Sequence, residues 1–470
     1  MRIPGKMIKD ISGITRSNKN LTPNPTDGNG SGTGITISTT PSADGYVGVL
    51  VNGLQQALGD GNSASECYFV NAAVFGAIKG SGNCSIGRRT DGTVWTWGNN
   101  TAGQLGDNTV DDKSSPVSIV GAHSFTLIGN GAGNGTSVHV IAMKSDGTAW
   151  CWGQNTNGQL GDNTAASKSS PVSVVGTHSF IRVNAGDLNS FAFKSDGSAW
   201  AWGNNTGGTL GDNSATARSS PVSVVGTHSF IQIDGGVSGL GRKSDGTVWM
   251  WGDNANAALG QNNVTNRSSP VSVVGDHSFR FATIGRNHVL AIKPDGTLWG
   301  WGNNASGQLG DNTTATRSSP VSIVGAHSFI FVAGSQNHSI GLKFDGSVWG
   351  WGQNAGGQLG DNTVVSKLSP VSVVGAHSFI AVTTGGVDVT NAHSLGIKFD
   401  GSVWAWGNNA DGQLGDNTVT LRSSPVSVIG SSHGTIRAIT DIISGDKLIW
   451  NGDLSGFDLD SNDRIDLNYI

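Results

Sequence analysis

Short runs of alternating apolar and polar residues recur from about residue 75 to residue 430. Residues 180–229 show the unit. "FIRVNAG" and "SFAFK" alternate with the two-residue period of a strand with one buried face. "SAWAWG" and "PVSVVG" follow the same rule. An Asp-Gly pair closes the second run against the third, the chemistry of a tight hairpin. A loop of about seventeen residues separates the third run from the fourth. Each unit is thus predicted to hold four short strands, the fourth beginning at its proline, where a missing N–H is tolerated.

The unit is copied. Asp-Gly turns stand at 91, 146, 196, 245, 295, 345 and 400, and each leads into a W-x-W-G. Each of these reaches a Pro-Val, at Pro116, Pro171, Pro221, Pro270, Pro320, Pro370 and Pro425. The tryptophan pairs are Trp95 and Trp97, Trp150 and Trp152, Trp200 and Trp202, Trp249 and Trp251, Trp299 and Trp301, Trp349 and Trp351, and Trp404 and Trp406. Residues two apart on a strand share a face, so each pair points one way. One four-stranded sheet has no room to bury two indoles, but a neighbouring copy has. Seven copies in a ring are predicted to bury all fourteen, which makes this an all-β, seven-bladed β-propeller. The pattern leaves open whether the first strand of a unit belongs to its own blade or closes the neighbour's.

The string "DGTVWTWGNNTAGQLGDNT…SSPVSIVG…HSF" resembles the repeat of the regulator of chromosome condensation family, in its bacterial and viral form. The resemblance covers roughly 75–430 and implies the propeller fold. It implies no single activity, because members include exchange factors for small GTPases and a secreted inhibitor of β-lactamases.

Composition narrows the rest. Of 470 residues 72 are Gly, yet 15 Trp and 36% hydrophobic residues predict a packed, turn-rich chain rather than disorder. A net charge of -5 is a poor footprint for nucleic acid. Cys67, Cys84 and Cys151 form no paired framework and are read as free thiols. No run approaches 18 apolar residues, so no membrane insertion is expected, and the first twenty residues lack the apolar core of a secretory signal.

The flanks read differently. Residues 1–34 are a basic arm and a Gly/Ser/Asn linker. Residues 35–74 and 435–470 are strand-like, and neither is expected to bury a core alone. They are predicted to pair into one small split β-sandwich-like domain, into which the propeller, 75–434, is inserted. "DGYVGVLVNG…GDG…CYF" and "GDKLIWNGDLSGFDLDSNDRIDLNY" resemble halves of a module in structural proteins of marine phages. That resemblance implies a virion protein assembled in the host cytoplasm, attached to other virion proteins through the arm and split domain.

Candidate chemistry is sparse. Repeated residues are read as structural: the Asp of each turn, Gln104-Leu105-Gly106 folding the long loop back onto its blade, and His123, His178, His228, His277, His327 and His377 capping the connection between blades. One ring varies: Cys84, His139, Asn189, Ser238, His288, His338 and His393, at the start of each second strand. Its histidines and Cys84 offer metal ligands, but without short ligand spacing, so hydrogen-bonding fixtures are favoured over metal. "DLDSNDRID" at 458–466 departs from a calcium loop at Asp463 and Tyr469 and reads as a turn. No nucleophile, phosphate-loop or metalloprotease motif stands out, so neither catalysis nor a cofactor is expected.

Copying lapses in two five-residue insertions, at 129–139 and 384–393. Strand parity puts both on the same end as the long loops, in blades flanking the first. Asn130, Asn134, Thr136, Asp388, Thr390 and Asn391 are the binding candidates there, against neutral loop drift. The expected function is a non-enzymatic virion display protein, a tail fibre, receptor-binding or decoration component, meeting a host-surface protein or glycan. The alternative is a protein-interaction propeller outside a virion, such as a guanine-nucleotide exchange factor or an inhibitor-like binder.

Overall fold

The computed structural model describes residues 75–431 except 131–137, 326 and 387–390, together with the backbone of four short strands, Ile35–Ile37, Tyr46–Val47, Val49–Val51 and Val70–Asn71. Ile35–Ile37 pairs with Val49–Val51, and Tyr46–Val47 pairs with Val70–Asn71, both antiparallel. The predicted pairing of 35–74 with 435–470, and the turn at 458–466, lie outside the described residues.

Seven four-stranded antiparallel sheets follow one another along the chain. In the third, Arg182–Ala185, Asn189–Phe193, Ala199–Gly203 and Arg218–Ser223 are adjacent in chain order. The other six sheets repeat that order, so every first strand belongs to its own blade. The first strands are innermost and pack side by side around the axis. The last of them, Phe379–Gly385, packs against the first, Phe75–Ser81. Backbones nearly touch there: a Cβ on Gly80 would lie 2.7 Å from the Gly385 nitrogen. Among the described residues the ring closes by packing, with no exchanged strand.

Two local details differ from expectation. The Asp-Gly hairpin is a three-residue turn. Lys194 N–H donates to the Ser198 carbonyl and Gly197 N–H to Lys194, while Gly197 sits at φ +78°. Asp196 Oδ1 holds it by accepting the Ser198 amide at 2.9 Å. The fourth strand begins three residues before its proline, at Arg218 rather than Pro221. It is the outer edge of the blade, so the missing N–H interrupts no further pairing.

Candidate functional site

The long loops form one face with the turns between first and second strands. They are built to a common wiring. Asn100 Oδ1 accepts the Leu105 amide at 2.9 Å and pins Leu105 into the core, where it is fully buried. Asp107 Oδ1 accepts the Thr109 hydroxyl at 2.7 Å and the Asn100 amide at 3.1 Å. The next residue, Asn108, has a left-handed φ of 64°, a conformation asparagine tolerates. That turn aims its N–H at the Ser169 carbonyl of the following blade, 2.8 Å away. Asn163, Asn213, Asn262, Asn312, Asn362 and Asn417 do the same, and Asn417 reaches Ser114 of the first blade at 3.0 Å. Each loop therefore clasps its neighbour, so the face is a continuous, hydrogen-bonded collar.

The tryptophan pairs extend that clasp, and they divide in two. The second of each pair is fully buried. Trp202 packs into the core of the preceding blade against Ile141, Cys151 and Leu160. Trp152 Nε1 donates to the Gln104 carbonyl at 3.0 Å, and Trp97, Trp251, Trp301 and Trp351 make the equivalent bond. So Leu105 folds the loop onto its own blade, while the Gln104 carbonyl ties it to the next. The first of each pair corrects the expectation that all fourteen are buried: Trp95, Trp150, Trp200, Trp249, Trp299, Trp349 and Trp404 are half-buried at the opposite rim. There a cation lies over each ring, Arg89 on Trp95 at 4.0 Å and Lys293 on Trp299 at 3.9 Å. His178 packs on Trp200 at 4.4 Å between centroids and on Phe180 at 5.2 Å. His123, His228, His277, His327 and His377 pack alike. These rings fill the seam between blades, which differs from the expected capping role.

The variable ring is structural too. His139 Nε2 lies 2.8 Å from Ser190 Oγ of the next blade. His288 pairs with Ser339 at 2.9 Å, His338 with Ser394 at 3.0 Å, and His393 with Ser85 at 3.0 Å. Each serine donates its own hydrogen to a loop carbonyl, at Gln159, Gln308, Gln358 and Gln413. That assigns the imidazole proton to Nε2. Burial holds His139, His288 and His338 down at about 3 and His393 at about 4, so all four are neutral. Burial likewise lifts the Cys84 thiol to about 12. Among the described residues no three His, Cys, Asp or Glu side chains are grouped to hold a metal. The ring was readable as internal covariation: His stands only where the next blade offers Ser. Where it offers Val140, Gly239 or Val289, the position is Cys84, Asn189 or Ser238.

Of the binding candidates, Asn134, Thr136, Asp388 and Thr390 lie outside the described residues. Asn130 ends the strand Leu127–Asn130, and the Asn391 carbonyl lies 3.4 Å from His393 Nδ1. Sequence reasoning missed two features of this face. One is an arc across blades three to six. Asp187 N–H donates to Gly236, and Arg286 N–H to Ser335. The Arg286 guanidinium then spans from Asp187 Oδ2 at 3.1 Å to Gln336 Oε1 at 3.0 Å. The other is a row of apolar side chains on the loop crests. Val364, Val365, Val419 and Val110 are 54%, 60%, 64% and 61% exposed.

A model described as the regulator of chromosome condensation (RCC1) repeat matches residues 91–139, 146–193, 245–292, 295–342, 345–387 and 400–448. Protein RCC2 homolog of Danio rerio is 33% identical over 86 residues, which are 18% of this chain and 17% of that protein. Human Protein RCC2 is 32% identical over 99 residues, 20% of this chain and 18% of that protein. The chain thus spans less than a fifth of the length of these curated relatives. Among solved structures, human WBSCR16 superposes with a TM-score of 0.63 at 20% identity, over 72% of this chain and 93% of its own. Saccharomyces cerevisiae Prp20p superposes at 0.62 with 19% identity, over 76% and 88%. At such identities the likeness is one of fold.

Proposed function

From the premise that this chain belongs to the regulator of chromosome condensation (RCC1) repeat family, we propose that it is a non-catalytic protein-interaction propeller that presents its long-loop face to a partner. The observation that carries this reading is the crest of exposed aliphatic side chains on blades six, seven and one. Those blades are neighbours, clasped by Asn362 to Ser423 and by Asn417 to Ser114. At the same position blade four carries the isolated Val264, and blades two, three and five carry Ala165, Ala215 and Thr314. A row of valines on a rigid, otherwise polar surface is the composition of a protein-binding patch. Sugar-binding surfaces instead expose aromatic rings, whereas the large exposed side chains of the crest are aliphatic.

The relatives lend support of the same kind. Prp20p is described with binding properties to Gsp1p and histones, and also in complex with Kap60. Guanine-nucleotide exchange is one form this interaction takes in the family resemblance. Display on a virion rests on the flanking segments alone, of which only four short strands are described, and the loop-face reading does not depend on it.

The test is quantitative affinity purification of the tagged full chain from its producing cells. The triple variant Val110→Lys, Val365→Lys, Val419→Lys is expected to keep its thermal midpoint and lose its partner at least tenfold, since buried charges at an interface core are costly. Thr314→Lys, at the same repeat position on blade five, serves as the matched control. Partners retained at wild-type level by the triple variant, or none captured by the wild type, refutes the proposal.

A further inference from the structure

The loop wiring contains a cation on every blade, at the first residue of the fourth strand. In six blades an aspartate six residues earlier neutralises it. Lys113 pairs with Asp107 and Lys168 with Asp162, both at 3.8 Å; Arg218 pairs with Asp212 at 3.3 Å and Lys367 with Asp361 at 3.5 Å. Arg317 pairs with Asp311 at 2.7 Å and Arg422 with Asp416 at 2.8 Å. These aspartates are nearly buried, so the pairs are part of the loop rather than loose surface contacts.

Blade four breaks the rule. Its loop reads "GDNANAALGQNNVTNR", with Gln261 where the others have aspartate. The structural duties of the missing carboxylate have been taken over. Asn254 Nδ2 donates to the Asn263 carbonyl at 2.9 Å, Asn263 Oδ1 accepts the Thr265 amide at 2.9 Å, and Asn262 still clasps Ser318. Gln261 turns its amide to the Ser272 carbonyl. The electrostatic duty has no replacement. Among the described residues the Arg267 guanidinium makes no hydrogen bond or ion pair, and its Nε is shielded from water without an acceptor. A guanidinium half-buried in this way keeps its charge and loses hydration, which raises its gain from any carboxylate that reaches it.

We propose that Arg267 on the loop face is a receptor for an aspartate or glutamate side chain of a protein partner, which takes the place that Asp occupies on the other six blades. The neighbourhood fits an approach from outside. Val264, on the crest three residues earlier, is 62% exposed. Asn213 of blade three closes the far side by its bond to Ser268 at 2.8 Å. The inference rests on the reading of this face as a protein-binding surface, and adds the chemistry of one contact.

A fluorescein-labelled hexaglutamate peptide, titrated into the full chain at low salt and followed by anisotropy, is the probe. Saturable binding is expected for the wild type. Arg267→Gln should weaken it at least tenfold. Gln261→Asp should do the same, by restoring the sequence of the other blades and filling the site internally, so misfolding does not explain its effect. Arg317→Gln, which removes a paired cation, should leave binding within twofold. No binding by the wild type, binding untouched by Gln261→Asp, or equal losses in Arg317→Gln and Arg267→Gln would each overturn the assignment. If the crest variant loses its partner while Gln261→Asp keeps both partner and peptide, the proposed function stands and this contact does not.

Discussion

Replacing Trp301 by alanine is expected to lower the stability of the propeller by about 3–5 kcal/mol, the range for truncating a large buried aromatic. Trp301 is fully buried among Leu240, Leu259, Phe279 and Val289. These come from both sides of a blade seam, so the cavity opens exactly where two sheets meet with no shared strand. The substitution also leaves the Ala258 carbonyl without the indole N–H it accepts at 2.8 Å. Trp299, two residues earlier on the same strand, is half-buried beneath Lys293 and beside His277. Its alanine variant should cost only about 1 kcal/mol, in line with a partly exposed contact. Urea midpoints of the two variants measure the contrast. Equal losses at the two positions would mean that the second tryptophans do not bear the blade-to-blade packing.

Acid is expected to unfold the propeller before pH 4, through its buried histidines. His139, His288, His338 and His393 are held at about 3 to 4 in the folded chain, against an ordinary value of 6.5. The unfolded chain therefore binds protons first as pH falls. The stability these groups contribute is fully present above pH 6.5 and is lost progressively towards their folded values. Each group that shifts from 6.5 to about 3 removes about 3 kcal/mol by pH 4. Total stabilities are about 5–15 kcal/mol, so three such groups, with His393 close behind, make unfolding before pH 4 the expected result. Asp212, Asp311, Asp361 and Asp416, lowered by their hydrogen bonds despite burial, add to the loss further down. Denaturation midpoints between pH 7 and 4 give the slope. His288→Asn, which copies blade three, should reduce that slope by about one proton. A stability flat from pH 7 to 4 contradicts the neutral His–Ser arrangement.

Seven units of four strands were readable from the spacing of Asp-Gly, W-x-W-G and Pro-Val, but the blade to which each first strand belongs, and with it the outer-edge place of the fourth, was not. Periodicity reports what every unit shares, and a closed ring of equal units follows from it. It does not report depth. Trp299 and Trp301 share a strand face, yet one sits at the rim and the other beneath a loop of another blade. The loop over Trp301 is that of the preceding blade, and only that blade decides which is which. The His–Ser ring was within reach, because it is written as covariation between one unit and the next rather than within a unit. Gln261 was visible as a single changed letter, but its meaning needed the six ion pairs beside it. The Arg286 to Asp187 bridge joins blades five and three across 99 residues, and no repeat encodes it. In the insertions 129–139 and 384–393, residues 131–137 and 387–390 lie outside the described residues. The described departures lie instead on the crests and on blade four.

The long-loop face is a rigid collar, so exposed crest residues are presented in fixed positions instead of being carried on mobile loops. Amide hydrogen exchange of Asn108, Asn163, Asn213, Asn262, Asn312, Asn362 and Asn417 tests this most directly, because each of these N–H groups donates to the next blade. Protection of all seven comparable to that of the second-strand amides is the predicted result. Exchange at the rate of open loops, in a propeller whose strands remain protected, would contradict it.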